Sequence, residues 1–190
     1  MAESPAAVPP YDGAMPNYIR SKTPGATWFF TVNLLQRQGN DLLVRHIDRL
    51  RQCVAEEKAR RPFQILAWVV LPEHMHWLWR LPADDADFST RRRRIKTAFS
   101  KGLPATEYRS PVRLAKGERG IWQRRFWEHQ IRDQEDLARH MDYIHFNPVK
   151  HGWCAAPANW PHSSFLQHVE KRHYTRNWAA GGDIDMAYDD

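Results

Sequence analysis

The amino-acid sequence predicts an α+β domain built on a single antiparallel sheet. A chain of 190 residues with 42% hydrophobic content can bury one sizeable core and is short for two. Two strand-like runs are separated only by Pro72 and Glu73, which requires an antiparallel hairpin, and amphipathic helical segments alternate with the strand-like runs. We expect the domain at residues 17–170, between a disordered leader at 1–16 that is rich in Pro and Ala and a flexible tail at 171–190.

The first half of the chain predicts a strand, a helix and the hairpin. Residues 27–35 are β-branched and aromatic, which is typical of a strand, and turn residues follow them. Residues 45–61 carry apolar side chains on one face at helical spacing and charges around the rest, so they predict an amphipathic helix. The runs 63–71 and 74–81 are the two arms of the hairpin.

The second half adds a helix, a strand and a final helix. Residues 87–103 place apolar side chains four residues apart and predict a helix with Ser89 or Thr90 as its N-cap. After a long basic loop, residues 121–132 resemble a strand, and residues 133–152 predict a helix that starts at an Asp N-cap. The resulting order is the ferredoxin-like βαββαβ plan with one added C-terminal helix.

Charge indicates the kind of partner. The formal net charge is +6 and the pI is about 9.5, and nine tryptophans are present. A cationic surface attracts polyanions, and aromatic rings among cations suit unstacked bases. An ordinary basic cytosolic protein would show the same charge, so charge alone leaves both interpretations open.

Cysteine usage and hydropathy indicate the compartment. Cys53 and Cys154 are far apart in the chain, which supports neither a disulfide framework nor a thiolate zinc site and favours a reducing compartment. The N-terminus has no basic segment followed by an apolar core, and the longest apolar run, 65–71, is too short to cross a bilayer. We therefore expect a soluble, cytoplasmic protein.

Two histidines, His74 and His76, lie one residue apart in the second arm of the hairpin. Side chains alternate across a strand, so both imidazoles point to one face while Met75 and Trp77 point to the other. Two imidazoles at neighbouring same-face positions supply half of a metal site. Hydrogen-bonded sheet histidines show the same spacing, so this motif needs a second feature to decide between the two interpretations.

The last helix carries that second feature. Beside its apolar positions runs a polar stripe composed of Asp136, His140, Tyr143 and Asn147. Tyr143 and Asn147 are i, i+4 neighbours, so the phenol and the carboxamide lie one turn apart on one face. A core-edge tyrosine and an asparagine C-cap before Pro148 are the alternative explanation. Packed over the histidine strand, however, the stripe could supply a third metal ligand and a nucleophile.

Three motifs in this order resemble a known family. They are LPEHMHWLW at 71–79, WQRRFWEH at 122–129 and YIHFNPVKHG at 143–152. The chain resembles the HUH single-tyrosine transposases, and most closely their REP-associated branch, where REP denotes a repetitive extragenic palindrome. HUH stands for histidine, hydrophobic residue, histidine. The likeness extends over residues 15–165, and the order and spacing of the motifs make it specific.

The resemblance implies both the chemistry and the residues that perform it. It implies a ferredoxin-like core, Tyr143 as the catalytic nucleophile, and a divalent cation held by His74, His76 and Asn147, where many insertion-sequence relatives have glutamine. Mg²⁺ or Mn²⁺ suits this ligand set, and the imidazoles also allow Zn²⁺, Ni²⁺ or Co²⁺. The implied activity is a metal-dependent DNA strand transfer through a 5′-phosphotyrosine. A non-enzymatic DNA-binding regulator derived from a transposase is the main alternative, and a replication initiator or relaxase is the third.

The implied substrate is single-stranded DNA folded as a REP hairpin with a guide tetranucleotide at its foot, bound by a monomer or a homodimer in the nucleoid. Four consecutive arginines on one helix and an Arg pair flanked by tryptophans are candidate DNA contacts, although a solvated helix face and an aromatic core are the structural alternatives. The N-terminal NYIR segment is a candidate reader of the guide. The DNA-binding candidates are Arg91, Arg92, Arg93, Arg94, Trp122, Arg124, Arg125, Lys150, Asn17, Tyr18 and Arg20.

Overall fold

A computed structural model describes residues 22–181 of the chain. The predicted leader and the candidate DNA contacts Asn17, Tyr18 and Arg20 lie outside the described residues. The strands are β1 (Thr27–Asn33), β2 (Gln64–Val70), β3 (His74–Arg80) and β4 (Trp127–Gln130). The α-helices are α1 (Leu42–Arg45), α2 (Ile47–Arg60), α3 (Phe88–Lys101), α4 (Pro111–Ala115), α5 (Gln134–Lys150) and α6 (Phe165–Glu170).

The four strands form one sheet in the order β2-β3-β1-β4, and every neighbouring pair is antiparallel. The tight turn between β2 and β3 is closed by the backbone N–H of Leu71, which donates to the carbonyl of His74. Strand β3 therefore lies in the interior of the sheet, paired with β2 on one side and β1 on the other. This order and the chain connections confirm the predicted ferredoxin-like α+β fold.

The two faces of the sheet are covered by different helices. Helices α2 and α3 cover one face, where the side chains of Met75 and Trp77 join the larger hydrophobic core. Helix α5 covers the other face, where Tyr143 and Ile144 pack against Phe29 and other side chains from the three longer strands. Because successive side chains of a strand point to opposite faces, the two histidines of β3 lie beneath α5.

The predicted start of helix α3 and the predicted start of strand β4 are both wrong. Helix α3 is capped by Asp87, whose side chain accepts a hydrogen bond from the backbone N–H of Thr90, and neither Ser89 nor Thr90 is the N-cap. Strand β4 begins at Trp127, six residues later than predicted. Trp122 makes only an isolated bridge, to Leu34, because its indole is buried and donates to the hydroxyl of Ser100 on α3.

The packed part of the chain also continues beyond the predicted boundary at residue 170. The ring of Tyr174 packs against Phe165, and its hydroxyl donates to Asp142 on α5. Trp178 stacks on Phe165 in the same cluster. Tyr174 and Trp178 therefore pack against side chains of α5 and α6, beyond the boundary predicted for the domain. Across residues 22–181, no helix is long and apolar enough to cross a membrane.

Candidate active site

The histidines of β3 are buried, and their rings are oriented by neighbours. Their centroids lie 5.0 Å apart. In His74, Nδ1 lies 2.9 Å from the carboxylate of Glu73, and in His76, Nδ1 lies 3.0 Å from the hydroxyl of Thr31. A carboxylate only accepts hydrogen bonds, so Nδ1 of His74 carries the proton and its Nε2 holds the lone pair that a metal would use. Hydrogen bonds of this kind orient histidine ligands in metal sites.

Glu73 is suited to this supporting role. Burial raises the pKa of its carboxyl, but the hydrogen bonds from His74, from the backbone and from Arg37 help to outweigh burial, so the pKa of Glu73 lies below its ordinary value. The carboxylate is therefore ionised at neutral pH and remains an acceptor for the imidazole. The guanidinium of Arg37 also reaches this carboxylate, at 3.4 Å.

Tyr143 lies on the buried face of α5, directly over the histidine strand. Its ring meets that of His76 edge to face, with the centroids 5.1 Å apart and the planes at 77°. The ammonium of Lys150, two turns further along α5, lies 5.3 Å from the centre of the tyrosine ring. The ring of Tyr143 thus has both an imidazole and a cation as neighbours.

Asn147 lies on α5 between Tyr143 and the helix C-cap His151, the two residues whose rings contact the histidines of β3. It is one turn after Tyr143, which touches His76, and one turn before His151, whose ring lies 5.1 Å from that of His74. Asn147 is 0% exposed, and within residues 22–181 neither its Oδ1 nor its Nδ2 makes a hydrogen bond. The same holds for Nε2 of His74.

Buried polar atoms without hydrogen bonds fit a site that is completed by a ligand. Each such atom costs about 1–3 kcal/mol when it is left unsatisfied. An imidazole nitrogen of His74 and the amide oxygen of Asn147 are such atoms, and with the neighbouring imidazole of His76 they form a suitable donor set for a divalent cation that keeps other coordination positions open. The residues present therefore fit the divalent metal that the sequence resemblance implies.

A second group of possible ligands lies near the start of α5. One donor atom each from His129, Asp136 and His140 lie within 4.8 Å of one another. However, Asp136 Oδ2 already accepts hydrogen bonds from Nε2 of His129 and from the backbone N and Nε of Arg132. The imidazole rings of His129 and His140 are stacked, with their centroids 4.7 Å apart and their planes at 13°. Lone pairs lie in the ring planes, so those of two nearly parallel rings do not converge on one point. This geometry favours a hydrogen-bonded network over a metal site.

Asp136 is the charged centre of that network. Burial alone raises the pKa of its carboxyl, but the hydrogen bonds from Arg132 and His129 hold the pKa well below its ordinary range. For His140, burial lowers the pKa of the ring and so favours the neutral form. The helical periodicity predicts that Asp136 and His140 lie on one stripe with Tyr143. It does not predict their contact with His129, because His129 reaches them only through the pairing of β4 with β1.

The arginine run on α3 does not form one DNA-binding surface. Arg91 is 2% exposed. Its guanidinium donates to Asp85, Asp87, Arg61 and Pro62. Four consecutive helical residues must surround the axis, and this one points inward, where it ties α3 to the end of α2. The assignment of Arg91 as a DNA contact is therefore corrected to a structural role.

Arg92 and Trp122 are also turned inward. The guanidinium of Arg92 lies over the ring of Phe126 and the side chain is buried. Trp122 is buried, with its ring edge-on to that of Phe99. Both side chains thus pack largely into the core, although each also lines the cleft beside α3.

The remaining cations are on the surface. Arg93 and Arg125 are exposed, Arg94 pairs with Glu57, and Arg124 pairs with Glu118. An open cleft of about 690 Å³ lies between α3 and the segment 113–124. Its basic lining residues are Arg92, Arg93, Lys96, Lys101, Arg113, Arg119 and Arg124. In that cleft, burial and the nearby Arg92 lower the pKa of Lys96 to about 7.

The fold and the site define a class of protein. A ferredoxin-like antiparallel sheet that carries two adjacent histidines beneath a helical tyrosine has the architecture of the HUH single-tyrosine transposases. No protein-family model matches the chain. Comparison with individual proteins is informative, however.

Two relatives and one solved structure are similar to almost the whole chain. The REP-associated tyrosine transposase of Escherichia coli K12 is 46% identical over 170 residues, which is 90% of this chain and 93% of the relative. A putative REP-associated tyrosine transposase of Haemophilus influenzae is 40% identical over 177 residues, covering 92% and 99% of the two chains. The structure of a REP-associated tyrosine transposase bound to a REP hairpin superposes with a TM-score of 0.75 at 43% identity, covering 93% and 99%. The chain belongs to the REP-associated tyrosine transposases, and it is an enzyme of that family.

Proposed function

We propose that this protein nicks and rejoins single-stranded REP DNA, with the hydroxyl of Tyr143 as the nucleophile. The observation that carries the proposal is the burial of Tyr143 edge-on to His76, one turn from an asparagine whose amide makes no hydrogen bond within residues 22–181. Family membership supports a DNA strand transferase over a binding protein without turnover. The hairpin held by the solved relative supports a folded single strand as the substrate.

His74, His76 and Asn147 would hold a divalent cation through the two Nε2 atoms and the amide oxygen. Mg²⁺ and Mn²⁺ match the oxygen ligands that this residue set and a phosphate offer together. When bound, the cation supplies positive charge that offsets charge building on the phosphate and favours loss of the tyrosine proton. Glu73 and Thr31 keep the two imidazoles in the required orientation.

The chain's own residues prepare the nucleophile. A phenol has a pKa near 10, so its deprotonated form is scarce at neutral pH. The ammonium of Lys150, 5.3 Å from the ring of Tyr143, favours negative charge on the phenol. Burial beneath α5 limits competing attack by water.

The reaction is an exchange of one phosphodiester for another. The Tyr143 oxygen forms a bond to phosphorus while the bond from phosphorus to the 3′-oxygen breaks, and that oxygen leaves with a proton as a 3′-hydroxyl. The product is a 5′-phosphotyrosine. Because the ester energy is kept, a 3′-hydroxyl of a DNA strand can attack the phosphotyrosine and regenerate Tyr143 without ATP.

The DNA contacts that we retain are those with accessible cations. They are Arg93, Arg94, Arg124, Arg125 and Lys150, together with Asn17, Tyr18 and Arg20 outside the described residues. Since the substrate is chromosomal DNA, we place the protein in the cytoplasm, at the nucleoid. Whether it acts there as a monomer or as a homodimer does not change the residues assigned to one site.

Replacement of the nucleophile tests the proposal. Tyr143→Phe should abolish the covalent adduct with labelled single-stranded REP oligonucleotides in Mn²⁺, because it removes only the attacking oxygen, and DNA binding should persist. Tyr108→Phe is the matched control, since this tyrosine is 83% exposed and lies in the loop before α4. An adduct that still forms on the Tyr143→Phe protein would contradict the assignment.

A further inference from the structure

We propose that Trp127 is a stacking platform for one unpaired base beside the scissile phosphate. This inference rests on the proposed function and assigns a base-binding position within the same site. Trp127 begins β4, at the edge of the sheet, and is 51% exposed. Its exposed ring is the outer member of a column of three nearly parallel rings.

The column is built from one strand and one helix. The ring of Trp127 is parallel to that of His129 within 5°, with centroids 5.8 Å apart. His129 in turn stacks on His140 of α5 at 4.7 Å and 13°. The inner end of the column is buried and its outer end faces solvent.

Hydrogen bonds hold the column in place. His129 Nε2 lies 2.8 Å from Asp136 Oδ2, and His140 Nδ1 lies 2.8 Å from the backbone carbonyl of Asp136. Asp136 is itself fixed, since its backbone N–H donates to the helix cap Asp133 and its carboxylate accepts from Arg132. An aromatic side chain whose support is already ordered loses little conformational entropy when a base stacks on it.

The platform lies next to the nucleophile. Phe29 of β1 is the shared neighbour: its ring centroid lies 5.5 Å from that of Trp127, 5.8 Å from Tyr143 and 5.6 Å from His76. Thr31 pairs with Trp127 in the sheet register and also binds Nδ1 of His76. Trp127 is thus on the sheet face that carries the site, separated from Tyr143 by a single ring.

Chemistry and charge identify the occupant as a nucleobase of the bound single strand. A base has a flat π-face of the size of an indole, and stacking of this kind tolerates any sequence. Arg125 lies two residues before Trp127 in the chain and is exposed, and Arg132, five residues after it, is exposed while its Nε pairs with Asp136, so positive charge occurs on either side of the ring in the sequence. A tryptophan that served only the core would gain more by being fully buried.

A scan with abasic nucleotides tests the platform. Binding is measured by fluorescence anisotropy in Tyr143→Phe protein, so that no cleavage occurs, with single-stranded REP oligonucleotides that carry one abasic residue at each position around the nick. One position should weaken binding by about 5- to 100-fold, the range expected for one stacked base. Trp127→Leu should weaken binding of intact DNA by a similar factor and make that same abasic position neutral.

Matched variants separate stacking from other effects. Trp127→Phe keeps an aromatic face and should retain most of the affinity, whereas Leu keeps apolar volume without a π-face. Tyr108→Leu removes another exposed aromatic, outside the site, and should leave the abasic profile unchanged. Thermal unfolding confirms that each variant is folded.

Three outcomes would overturn the platform. The first is an abasic profile that is the same in the Trp127→Leu variant and in its parent. The second is equal DNA affinity of the variant and its parent. The third is a Trp127→Leu variant that differs from its parent only in oligomeric state, which would indicate that the β4 edge is a protein interface. Failure of the proposed function looks different, because the protein with Tyr143 and Trp127 both intact would then form no covalent adduct with single-stranded REP DNA in Mn²⁺, whatever the abasic profile shows.

Discussion

The orientation of the His74 ring is set by a hydrogen bond to a single neighbouring carboxylate. Glu73 accepts a hydrogen bond from Nδ1, so Nε2 of the same ring holds a lone pair. Nε2 is buried, and within residues 22–181 it makes no hydrogen bond. Asn147 repeats this pattern with both atoms of its amide. The local order in the sequence, Glu73 followed directly by the histidine motif, thus orients the first ligand. Asn147 requires α5 to fold over β3 before it can take part.

Loss of a histidine ligand should remove metal binding and activity together. With Mn²⁺ at 100 times its Kd, the wild-type protein should gain about 2.7 kcal/mol of stability. His74→Ala or His76→Ala should show neither this gain nor adduct formation, and Asn147→Ala should lose less, because water can replace a neutral amide oxygen. His46→Ala, at the junction of α1 and α2, is the control. Equal wild-type activity in excess EDTA and in Mg²⁺ would contradict the metal assignment.

Lys96 should make stability depend on pH. Burial lowers its pKa to about 7 from an ordinary value of 10.5, so the folded state disfavours the charged form. The penalty is fully present below pH 7 and fades as pH rises towards 10.5, because the unfolded chain then loses its proton as well. Lys96→Met should therefore raise Tm most below pH 7, by on the order of a few degrees.

Thermal unfolding between pH 6 and pH 10 measures that difference. Lys101→Met on the same helix is the control, since its side chain is exposed and its effect should be small at every pH. A Tm difference for Lys96→Met that does not shrink with rising pH would show that the hydrogen bond of Lys96 to the carbonyl of Gln123 determines the effect, and that burial of the charge does not.

At the scale of elements, the periodicity of apolar residues predicts the helices and strands that depend on local sequence. The hairpin, the helix at 47–60 and the helix at 134–150 were each identifiable because one face had to be apolar, and Asp133 was correctly predicted as the cap of α5. The length of β4 was overestimated because Trp122 has high strand propensity, but its indole is drawn to Ser100 by tertiary contact. The choice of Asp87 over its neighbours as the cap of α3 likewise depends on the path of the preceding loop.

The site was predictable only in part for the same reason. Two same-face histidines and an i, i+4 Tyr-Asn pair are periodic features, so both halves were visible in the sequence. The inward turn of Arg91 depends on Asp85 and on carbonyl groups at the end of α2, which no spacing within the arginine run reveals. The stacked column of Trp127, His129 and His140 requires the pairing of β4 with β1.

The attachment of the C-terminal segment to α5 gives a prediction at this scale. The hydroxyl of Tyr174 donates to Asp142, and burial raises the pKa of that carboxyl. Tyr174→Phe leaves Asp142 without this donor and should lower the free energy of unfolding by about 1–3 kcal/mol. Chemical denaturation measures the change, and Tyr108→Phe should have almost no effect. A Tyr174→Phe protein as stable as the wild type would show that ring packing alone holds the segment.

At the scale of the whole molecule, the positive charge of the 28 Lys and Arg side chains is divided between two uses. Part of it is structural, as in Arg91 and in Arg119, which pairs with Glu107. The rest is on the surface, in the cleft along α3 and in the segment that leads into β4. Only this second part can contribute to DNA affinity and to its dependence on salt.

The segment before β4 should bind the DNA backbone. Replacing both Arg124 and Arg125 by alanine should weaken single-strand binding and flatten its salt dependence, by about 0.7 log unit per log unit of salt for each phosphate that the variant no longer neutralises. A uniform decrease across DNA sequences would indicate binding to phosphates, and a decrease only on the hairpin would indicate specific recognition. Arg60→Ala, at the exposed end of α2, is a matched control. Unchanged affinity and salt slope would move the DNA path to another surface.

The central claim is that one tyrosine becomes covalently joined to DNA. The most direct measurement is mass spectrometry of the protein after reaction with single-stranded REP DNA in Mn²⁺, digestion of the DNA and proteolysis. We expect a nucleotide attached through its 5′-phosphate to the peptide that contains Tyr143, with a free 3′-hydroxyl on the other DNA fragment. A nucleotide on any other residue, such as Tyr108 or Tyr174, or cleavage that leaves no covalent link, would contradict the claim.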